Sequence, residues 1–493
     1  MTFSGSNPAL EEIRCENLAF LQPNKPIEDF IKAVGDAHLL TKGTASIGEN
    51  LEAGHHKPNI TNREVRVTSF CEKIIEISNV NLSSWGYGCL TNYEGELYVY
   101  QQTHFVLFDK SNIYRMVKEN GRIFDLSPED YLSSKFGELC EKQLLYSAAA
   151  PTMRPNDMCL VNFQNGVYEF QSDGNSRKLL LEKPTYFFRY SLPFSYNPAA
   201  QCPKFDAFLK ETLEEDQCID VVYEFLGFPF CTPTEVMNIS LEKMPLFYGS
   251  GANGKSVLFN VCSEMYGRDN VSHYDLYDVS SSKNTRHALG GMLVNWCSDA
   301  DKRVKSGPMK ALISREPMSA EIKYGAIYTL TQPPAFMMNT NELPSANDNS
   351  DGWFRRLDII KFEKTIPIEK RDPKLATKLK VELAGIFNKT MTGRYRLLSA
   401  GQTKSAKIAA ANAEYETIEN SAKAWIEATG MVQDNDSRIT FGDAFSNHIT
   451  WCANNSAEPL KQREFNKYLG RKFSKIKSST YCWRARYTKF REF

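Results

Sequence analysis

The sequence lacks the cysteine and histidine patterns that mark disulfide-stapled and zinc-binding proteins. Its 12 cysteines are scattered along 493 residues with no Cys-x-x-Cys pair, and no HExxH motif is present. Disulfide scaffolds are small domains dense in cysteine, and zinc sites place cysteines at short spacings, so we expect buried thiols in a reducing compartment instead. The adjacent His55 and His56 are interpreted as loop residues.

Long apolar stretches are also missing. The segment Met1–Cys15 has no basic stretch followed by an apolar core, and no later run approaches the ~20 apolar residues that span a bilayer. We therefore expect a protein without membrane association that works in the cytoplasm, in a prokaryotic or viral-host cytosol.

A bias of net charge is missing as well. Lys plus Arg and Asp plus Glu both total 59, so the charge of the whole chain indicates neither a nucleic-acid binder nor an acidic scaffold. With 42% hydrophobic and 24% charged residues, the composition is that of a soluble globular protein with room for several domains. Function must therefore be sought in local motifs.

Changes in composition and periodicity divide the chain into segments. Residues 42–62 are polar and predict a linker, whereas 94–108 and 159–170 have strand patterns and 204–225 has helical spacing. From Met244 to Phe362 short apolar runs alternate with helical stretches, which predicts a parallel sheet flanked by helices. The predicted domains are an N-terminal segment and flexible linker (1–62), an α+β/helical domain (63–235), a core with the parallel sheet (236–365), a helical lid or connector (366–430) and a small C-terminal domain (431–493).

The strongest single motif is a phosphate-binding loop. The sequence GSGANGKS at 249–256 fits G-x-x-x-x-G-K-[ST], and it follows the apolar strand Met244–Tyr248 and precedes a helix expected to start at Ser256. Backbone N–H groups of such a loop surround phosphate oxygens, and the helix N-terminus adds partial positive charge. We expect Lys255 to reach the β and γ phosphates and the Ser256 hydroxyl to ligate Mg²⁺. The predicted nucleotide-binding residues are Gly249, Ser250, Gly251, Ala252, Asn253, Gly254, Lys255 and Ser256.

Kinases and GTPases share such a loop, so the residues downstream must decide the class. The apolar run 293–297 ends in Asp299 and Asp301, an arrangement that places one acid on Mg²⁺ and another on the attacking water. A strand that ends in solvated acids is the alternative interpretation. The strand Ala335–Met338 leads into NTNELP at 339–344, which puts an amide at a strand tip where it could sense the γ-phosphate.

Two adjacent arginines, Arg355 and Arg356, come just before the apolar strand 357–362. Taken singly, each arginine is more often a surface salt bridge. The order of phosphate loop, acidic strand, Asn strand and Arg pair resembles the ATPase of superfamily 3 helicases. More narrowly, it resembles the C-terminal helicase portion of phage and plasmid primases and of poxvirus-type primase-helicases. The motifs that carry the resemblance are LFYGSGANGKS (246–256), FMMNTNELP (336–344) and DGWFRRLDIIKF (351–362).

The resemblance extends beyond the ATPase, from Glu94 to the end of the chain. NGVYEF (165–170) and FLGFPF (225–230) are similar to the helical domain that precedes the ATPase in that family. ELAGIFNKTMTGRYRLLSAG (382–401) and the terminal segment match downstream. The implied fold is α/β: a P-loop, AAA-plus-like ATPase core with a parallel sheet and flanking helices, preceded by an α+β/helical domain and followed by a winged-helix-like domain.

The resemblance also implies roles for the loop and the acids. Lys255 and Ser256 become the phosphate and Mg²⁺ ligands, and Asp299 and Asp301 become the acidic pair, with Asp299 as a metal ligand. The family usually carries Glu in this pair, whereas both residues are Asp here. Which of the two polarises water therefore stays open.

Three further roles follow from the same resemblance. Asn341 becomes the γ-phosphate sensor, and one of the two adjacent arginines becomes a finger that reaches a neighbouring subunit's nucleotide. The segment Met309–Tyr328 is where the family carries a hairpin that grips DNA in the channel of a ring. Lys323 and Tyr324 fall at the corresponding place; an ordinary surface lysine is the alternative.

Basic residues concentrate near the C-terminus. Helical spacing is present at 441–451 and 461–473, and the second helix has Phe465 and Leu469 on one face and basic residues on the other. Helix, turn, basic helix and strand in this order indicate a winged helix; a solvated basic face is the alternative. The candidate nucleic-acid-binding residues in this region are Lys461, Lys467, Arg471, Lys472, Arg484 and Arg486.

The motifs and the resemblance together predict an ATP-dependent DNA helicase that translocates on single-stranded DNA in replication of a phage, plasmid or other mobile element. ATP and Mg²⁺ are the expected cofactors. The expected partners are single- or double-stranded DNA, further copies of the chain in a hexamer, and a separate primase or replication initiator.

Alternative functions remain open at this point. One is an ATP-regulated, DNA-binding replication initiator with little unwinding activity. Another is a small-molecule P-loop kinase, which the basic tail and the Asn strand disfavour. Before Met244 the chain has no Asp-x-Asp and no Cys-x-x-Cys of the kind that a primase domain carries. We therefore expect no fused primase, unless a divergent one occupies the first 200 residues.

Overall fold

The computed structural model describes residues 26–48, 63–81, 87–171, 174–181, 184–298, 304–323, 325–344, 351–477 and 480–489. The chain folds as two compact units, the first formed by residues 1–171 and 175–196 and the second by residues 172–174 and 197–493. No described helix combines the length and the apolar character of a membrane span.

The first unit combines helices with antiparallel sheets. Its elements are α1 (Pro26–Gly48), α2 (Arg63–Glu76), a π-helix (Ile77–Asn81), β1 (Tyr87–Tyr93), β2 (Glu96–Gln101), β3 (His104–Leu107), α3 (Lys110–Asn120), α4 (Pro128–Tyr131), α5 (Ser134–Ser147), β4 (Leu160–Phe163), β5 (Gly166–Phe170) and β6 (Ser176–Leu179). Strands β1 to β3 form one sheet and β4 to β6 another, each in chain order. The strands expected within 94–108 and 159–170 are confirmed.

Helix α1 corrects part of the predicted linker. The helix ends at Gly48, so residues 42–48 are helical, while 49–62 lie outside the described residues. Phe30, Val34 and Ala37 follow helical spacing and are buried in the core of this unit. Packing of that face stabilises the helix although each interior glycine costs about 1 kcal/mol in helix propensity.

The second unit begins with helices and a parallel sheet. Its first elements are α6 (Pro203–Leu213), α7 (Asp216–Gly227), α8 (Pro233–Ile239), β7 (Met244–Tyr248), α9 (Lys255–Tyr266), β8 (Val271–Ser272), α10 (Leu276–Ser281), α11 (Lys283–His287), β9 (Val294–Ser298), α12 (Ser306–Ile313), β10 (Met318–Glu321), β11 (Ile327–Leu330), β12 (Ala335–Thr340), α13 (Asp351–Phe354), β13 (Leu357–Lys361), α14 (Leu375–Leu379), α15 (Leu383–Ala400) and α16 (Ala406–Glu419). Short 3-10 turns occupy Phe228–Phe230, Arg268–Asn270, Ile368–Lys370 and Lys380–Glu382.

The described strands of this region form a five-stranded parallel sheet in the order β13-β7-β12-β9-β8. Strand β12 is buried along its whole length, and Met244, Leu246 and Phe247 of β7 are fully buried. Continuous burial is expected where helices cover both faces of a parallel sheet. The predicted mixed α/β fold with a parallel sheet is confirmed, and the carboxyl ends of β7, β9 and β12 meet at one edge.

Helices α6 and α7 belong to this second unit, whereas the predicted boundary at 235/236 placed them with the preceding domain. The Glu382 carboxylate accepts the Lys204 and Phe205 N–H groups at 3.1 and 3.0 Å and so caps α6 from α15's side of the unit. Where α7 meets α15, a Cβ on Gly393 would lie 2.4 Å from the Tyr223 backbone. These tertiary contacts have no local sequence signal.

The C-terminal part of the unit is a small domain of helices and short strands. Its elements are α17 (Ser421–Thr429), β14 (Met431–Gln433), β15 (Ile439–Thr440), α18 (Phe441–Asn454), α19 (Gln462–Lys472), β16 (Lys475–Lys477), β17 (Tyr481–Trp483) and β18 (Ala485–Tyr487). Strand β14 pairs with β18, and β15, β17 and β16 form a second antiparallel sheet. Trp425, Phe465 and Trp483 are fully buried in a common core, so the two predicted helices pack against a sheet.

Candidate nucleotide site and nucleic-acid surface

The loop between β7 and α9 has a backbone path suited to an anion. Gly251 and Gly254 have φ angles of +105° and +98°, which glycine adopts without the strain that a Cβ would cause. At Gly249 a Cβ would lie 2.5 Å from the Phe362 carbonyl oxygen, so only glycine fits there. The loop ends at the N-terminus of α9, where the first N–H groups lack intrahelical partners and the helix dipole favours negative charge.

Lys255 is held inside this loop. Its Nζ donates to the Gly249 carbonyl oxygen at 2.5 Å and to Asn253 Oδ1 at 3.1 Å. Asn253 in turn donates from Nδ2 to the Phe362 carbonyl oxygen at 2.9 Å. A buried ammonium needs such polar partners, and the network fixes it beside the loop N–H groups.

A pocket of about 540 Å³ opens at the same edge of the sheet. Predicted residues from Gly251 to Ser256 line it, together with Asn341 and with Ser298 at the end of β9. Asp299 and Asp301 follow Ser298 directly and lie outside the described residues. The structure therefore brings together the loop and the ends of β9 and β12.

Asn339 is a site residue that the sequence reasoning missed. It is buried on β12, accepts a hydrogen bond from Trp296 Nε1 at 3.1 Å and donates to the Lys255 carbonyl oxygen at 3.4 Å. Asn341, the predicted sensor, is exposed and lines the same pocket. An amide within the otherwise apolar run FMMNT was the available signal, because a buried amide requires hydrogen-bond partners.

Other residues of the pocket lie far from the loop in sequence. Ile366 donates its backbone N–H to the Ala252 carbonyl oxygen at 2.9 Å, which fixes the segment after β13 against the loop. Arg371 and Asp372 follow on this segment and line the pocket. The Lys378 ammonium, 2.7 Å from Asp372 Oδ2, lowers the pKa of that carboxyl group. From α6 the pocket receives Phe208, Glu211 and Thr212.

The two adjacent arginines have different environments. The Arg356 side chain is only 9% exposed, and it donates to the Gly352 carbonyl oxygen at 2.8 Å and to Ser314 Oγ at 3.3 Å. The Arg355 side chain is 63% exposed and pairs with Glu242 at 2.8 Å. Both precede β13, at the end of the sheet opposite the phosphate-binding loop.

The segment expected to carry a hairpin does form one. Strands β10 and β11 pair antiparallel from Met318↔Leu330 to Glu321↔Ile327. Lys323 lies exposed in the connecting turn, and Tyr324 lies outside the described residues. Along the hairpin, the Tyr328 hydroxyl lies 3.0 Å from His287 Nδ1 and the Ser319 carbonyl oxygen accepts a hydrogen bond from Arg286 Nε.

Helix α19 presents a basic face in the C-terminal domain. Phe465, Tyr468 and Leu469 are buried against the domain core. The candidate residues Lys461, Lys467, Arg471 and Lys472 are exposed, Arg484 is half-buried, and Arg486 pairs with Asp434 at 3.1 Å. Trp483 stacks on Phe441 with ring centroids 4.1 Å apart, so this aromatic ring packs within the domain, whereas Tyr481 is half exposed.

Two family models match parts of the chain. Residues 95–214 match the family described as "D5 N terminal like". Residues 247–356 match a "Family of unknown function (DUF5906)". The second match begins in β7 and ends at Arg356, so it contains the phosphate-binding loop, the Asn strand and the arginine pair.

Solved structures of the NrS-1 C-terminal region are similar to the chain at a low level. An apo structure of this region in its A form has 12% sequence identity and a TM-score of 0.47, with 83% of this chain and 98% of that chain covered. A second apo structure has 12% identity and a TM-score of 0.44, again covering 83% and 98%. The fold described above rests on the strands and helices of this chain itself.

The described residues contain no group of three or more His, Cys, Asp or Glu side chains arranged to hold a metal ion. An Mg²⁺ ion bound with a nucleotide needs fewer protein ligands, because phosphate oxygens and water complete its coordination. The exposed Ser256 in the first turn of α9 offers a hydroxyl oxygen at the pocket. This donor fits the hard, oxygen-seeking character of Mg²⁺.

Proposed function

We propose that the chain is an ATP-dependent DNA helicase of the superfamily 3 type, which hydrolyses ATP at the 249–256 loop and translocates on single-stranded DNA during replication of a mobile element. Support comes from the loop geometry, from the exposed Arg355, and from the sequence resemblance that covers both. The D5 N-terminal-like match at 95–214 lies within the domain expected to precede the ATPase.

The observation that carries the proposal is the placement of Lys255 and Arg355 at opposite edges of one sheet. Strands β7 and β13 are parallel, with Leu357 paired to Met244 and Lys361 to Tyr248. The five residues of β13 separate the two edges by about 16 Å, more than an arginine side chain spans. Arg355 therefore cannot serve its own loop, and we propose that it completes the site of the next copy in a hexamer.

Within each site, different residues of the chain have separate roles in phosphoryl transfer. Lys255 exchanges its Gly249 and Asn253 partners for the β and γ phosphates, and the loop N–H groups bind the remaining phosphate oxygens. Of the acidic pair, Asp299 and Asp301, one orients the attacking water. Asn341 contacts the γ-phosphate, while Asn339 holds the start of α9 in place. Mg²⁺, when bound by Ser256 and Asp299, would neutralise charge on the phosphate oxygens.

The nucleic-acid contacts of the proposed helicase come from two surfaces. Lys323, at the turn of the β10–β11 hairpin, and Tyr324, the next residue in the sequence, grip single-stranded DNA in the ring channel. The basic face of α19 binds phosphates, an interaction driven by counterion release. A separate primase or replication initiator is the expected protein partner.

ATP hydrolysis measured with and without a single-stranded oligonucleotide, together with displacement of a labelled strand from a forked duplex, tests this function. We expect single-stranded DNA to stimulate ATP hydrolysis. We also expect ATP to drive strand displacement, whereas a non-hydrolysable analogue should not. Nucleotide-dependent oligomers that bind DNA without unwinding it would favour a replication initiator instead. ATP turnover that is indifferent to DNA and transfers the γ-phosphoryl group to a small molecule instead of water would sink the proposal.

A further inference from the structure

Glu242 bridges the two arginines. It lies in the short connection between α8 and β7 and is half-buried. Its Oε2 accepts a hydrogen bond from Arg355 Nη2 at 2.8 Å and forms an ion pair with Arg356 Nη2 at 3.0 Å. One carboxylate oxygen thus joins an exposed guanidinium to a buried one.

Arg356 anchors this carboxylate in the fold. Its guanidinium is held by the Gly352 carbonyl oxygen and by Ser314 Oγ, and its backbone carbonyl oxygen accepts the Met244 N–H at 2.8 Å. Met244 begins β7, two residues after Glu242. The carboxylate is therefore fixed both through its side chain and through the start of a buried strand.

The same carboxylate holds the Arg355 guanidinium through one nitrogen, Nη2. Exposed ion pairs contribute little to stability, because solvent screens them and two long side chains lose freedom. An anchored carboxylate instead restricts the rotamers of a mobile guanidinium before any ligand arrives. Arg355 is bonded through Nη2, and a guanidinium has five N–H donors, so donors remain for an incoming phosphate.

We propose that Glu242 is the positioning residue of the Arg355 finger, with Arg356 as the anchor of Glu242. This inference rests on the proposed function. It assigns the two arginines different tasks: Arg355 contacts the neighbouring subunit's nucleotide, and Arg356 holds the carboxylate that aims it. Pre-orientation of a charged group matters in catalysis because a misplacement of ~1 Å can reduce rate by ~10²-fold.

The first test measures steady-state ATP hydrolysis and nucleotide affinity of the full chain carrying Glu242→Gln. The amide keeps the size of the carboxylate but removes its charge. We expect kcat to fall roughly 10- to 100-fold with nucleotide affinity and KM unchanged, and Glu242→Asp to restore part of the loss. Glu316→Gln is the matched control, because Glu316 lines the same groove as Glu242 but lies outside the bridge between Arg355 and Arg356; its kcat should stay at the wild-type value.

A second measurement separates positioning from a general structural effect. If Glu242 acts only through Arg355, the Glu242→Gln/Arg355→Ala double variant should be no slower than Arg355→Ala alone. An additive loss, a loss of nucleotide affinity in Glu242→Gln, or a wild-type kcat for Glu242→Gln would each overturn the inference.

Mixed assemblies distinguish failure of this inference from failure of the proposed function. After subunit exchange, verified by co-purification through a tag on one variant, Arg355→Ala mixed with Lys255→Ala should regain hydrolysis, because some interfaces join an intact loop to an intact finger. Glu242→Gln should likewise regain activity with Lys255→Ala but not with Arg355→Ala. If the arginine and lysine variants do not complement, the trans finger itself is wrong. If they do and Glu242→Gln behaves like Lys255→Ala, only the positioning role is wrong.

Discussion

At the scale of single residues, the members of two otherwise similar pairs differ in their exposure to solvent. Arg355 and Arg356 are indistinguishable in the sequence, and only the structure shows that one is 63% exposed and the other 9%. Asn339 and Asn341 differ in the same way. The family resemblance indicates Asn341. The sequence alone does not indicate that Asn339 bridges Trp296 and α9. Residue type and spacing predicted the loop, because its backbone demands glycine at fixed positions.

Replacement of Lys255 by Ala should abolish ATP hydrolysis. No other cationic side chain of the described pocket lies in the loop itself, so the β and γ phosphates would lose their main counter-charge. Phosphate release from ATP by the purified variant is the measurement. Lys364→Ala, at an exposed lysine, is the control and should retain normal turnover; substantial turnover in the Lys255 variant would remove the basis for the loop assignment.

His448 should make the C-terminal domain sensitive to acid. The ring is fully buried, with Nε2 3.0 Å from Ser421 Oγ and 3.3 Å from Cys452 Sγ, and burial lowers its pKa to about 4. An unfolded histidine has a pKa of ~6.5. Below pH ~6.5 the unfolded chain therefore binds a proton at His448 that the folded domain does not bind. The contribution of His448 to the free energy of unfolding is complete above pH ~6.5 and decreases as the pH falls toward 4. At pH 5 the loss should be about 2 kcal/mol.

Urea unfolding followed by tryptophan fluorescence at pH 7 and pH 5 measures this loss, since Trp425 lies beside His448. The variant His448→Gln removes the titrating group and should show a smaller difference between the two pH values. Equal pH dependence in wild type and variant would mean that other groups, not His448, control acid unfolding.

At the scale of elements, hydrophobic periodicity and motif context predicted the bounds of those strands and helices that depend on local sequence. Strand β7 occupies Met244–Tyr248 as expected, and α9 begins at Lys255, one residue before the expected start. Helix α19 also matches its predicted span within one residue at each end. Predictions failed where long-range packing decides: α1 extends through residues expected to form a linker, and α6 joins the second unit through contacts with Glu382 and Gly385. Such contacts link residues nearly 200 positions apart and leave no local pattern.

The basic face of α19 should set the salt dependence of DNA binding. Replacing Lys467, Arg471 and Lys472 together by Gln keeps the buried face of the helix intact, whereas deleting the domain would expose Trp425, which packs on Phe465. Removal of each side chain that binds a phosphate should reduce the slope of log K against log salt by about 1. Fluorescence anisotropy of a labelled oligonucleotide from low to moderate salt gives that slope.

The control for this experiment is a matched set of exposed lysines in the first unit. Lys118, Lys135 and Lys142 changed together to Gln remove the same charge from a different surface. The slope should stay at the wild-type value in this control. A reduction of equal size in both triple variants would show that net charge, not the α19 face, governs binding.

At the scale of the whole molecule, the proposed site is divided between copies of the chain. Hydrolysis per subunit should therefore depend on protein concentration, because dilution dissociates the assembly and separates each loop from its neighbour's Arg355. Nucleotide binding to the Lys255 loop should persist on dilution. The test measures specific ATPase activity across a dilution series, together with sedimentation velocity and the binding of a fluorescent nucleotide. Constant specific activity through the range in which the assembly dissociates would contradict a shared site.

The length of one strand has a genetic consequence. Because β13 separates each arginine from the loop of its own chain, a subunit with a damaged finger should still fold, bind nucleotide and enter the proposed ring, yet disable its neighbour. In a cell that expresses both forms, each Arg355→Ala subunit would silence one site, and unwinding would stop in every ring whose subunits must fire together. We therefore expect such an allele to be dominant over the wild type, and its strength to increase with the number of subunits that must fire together.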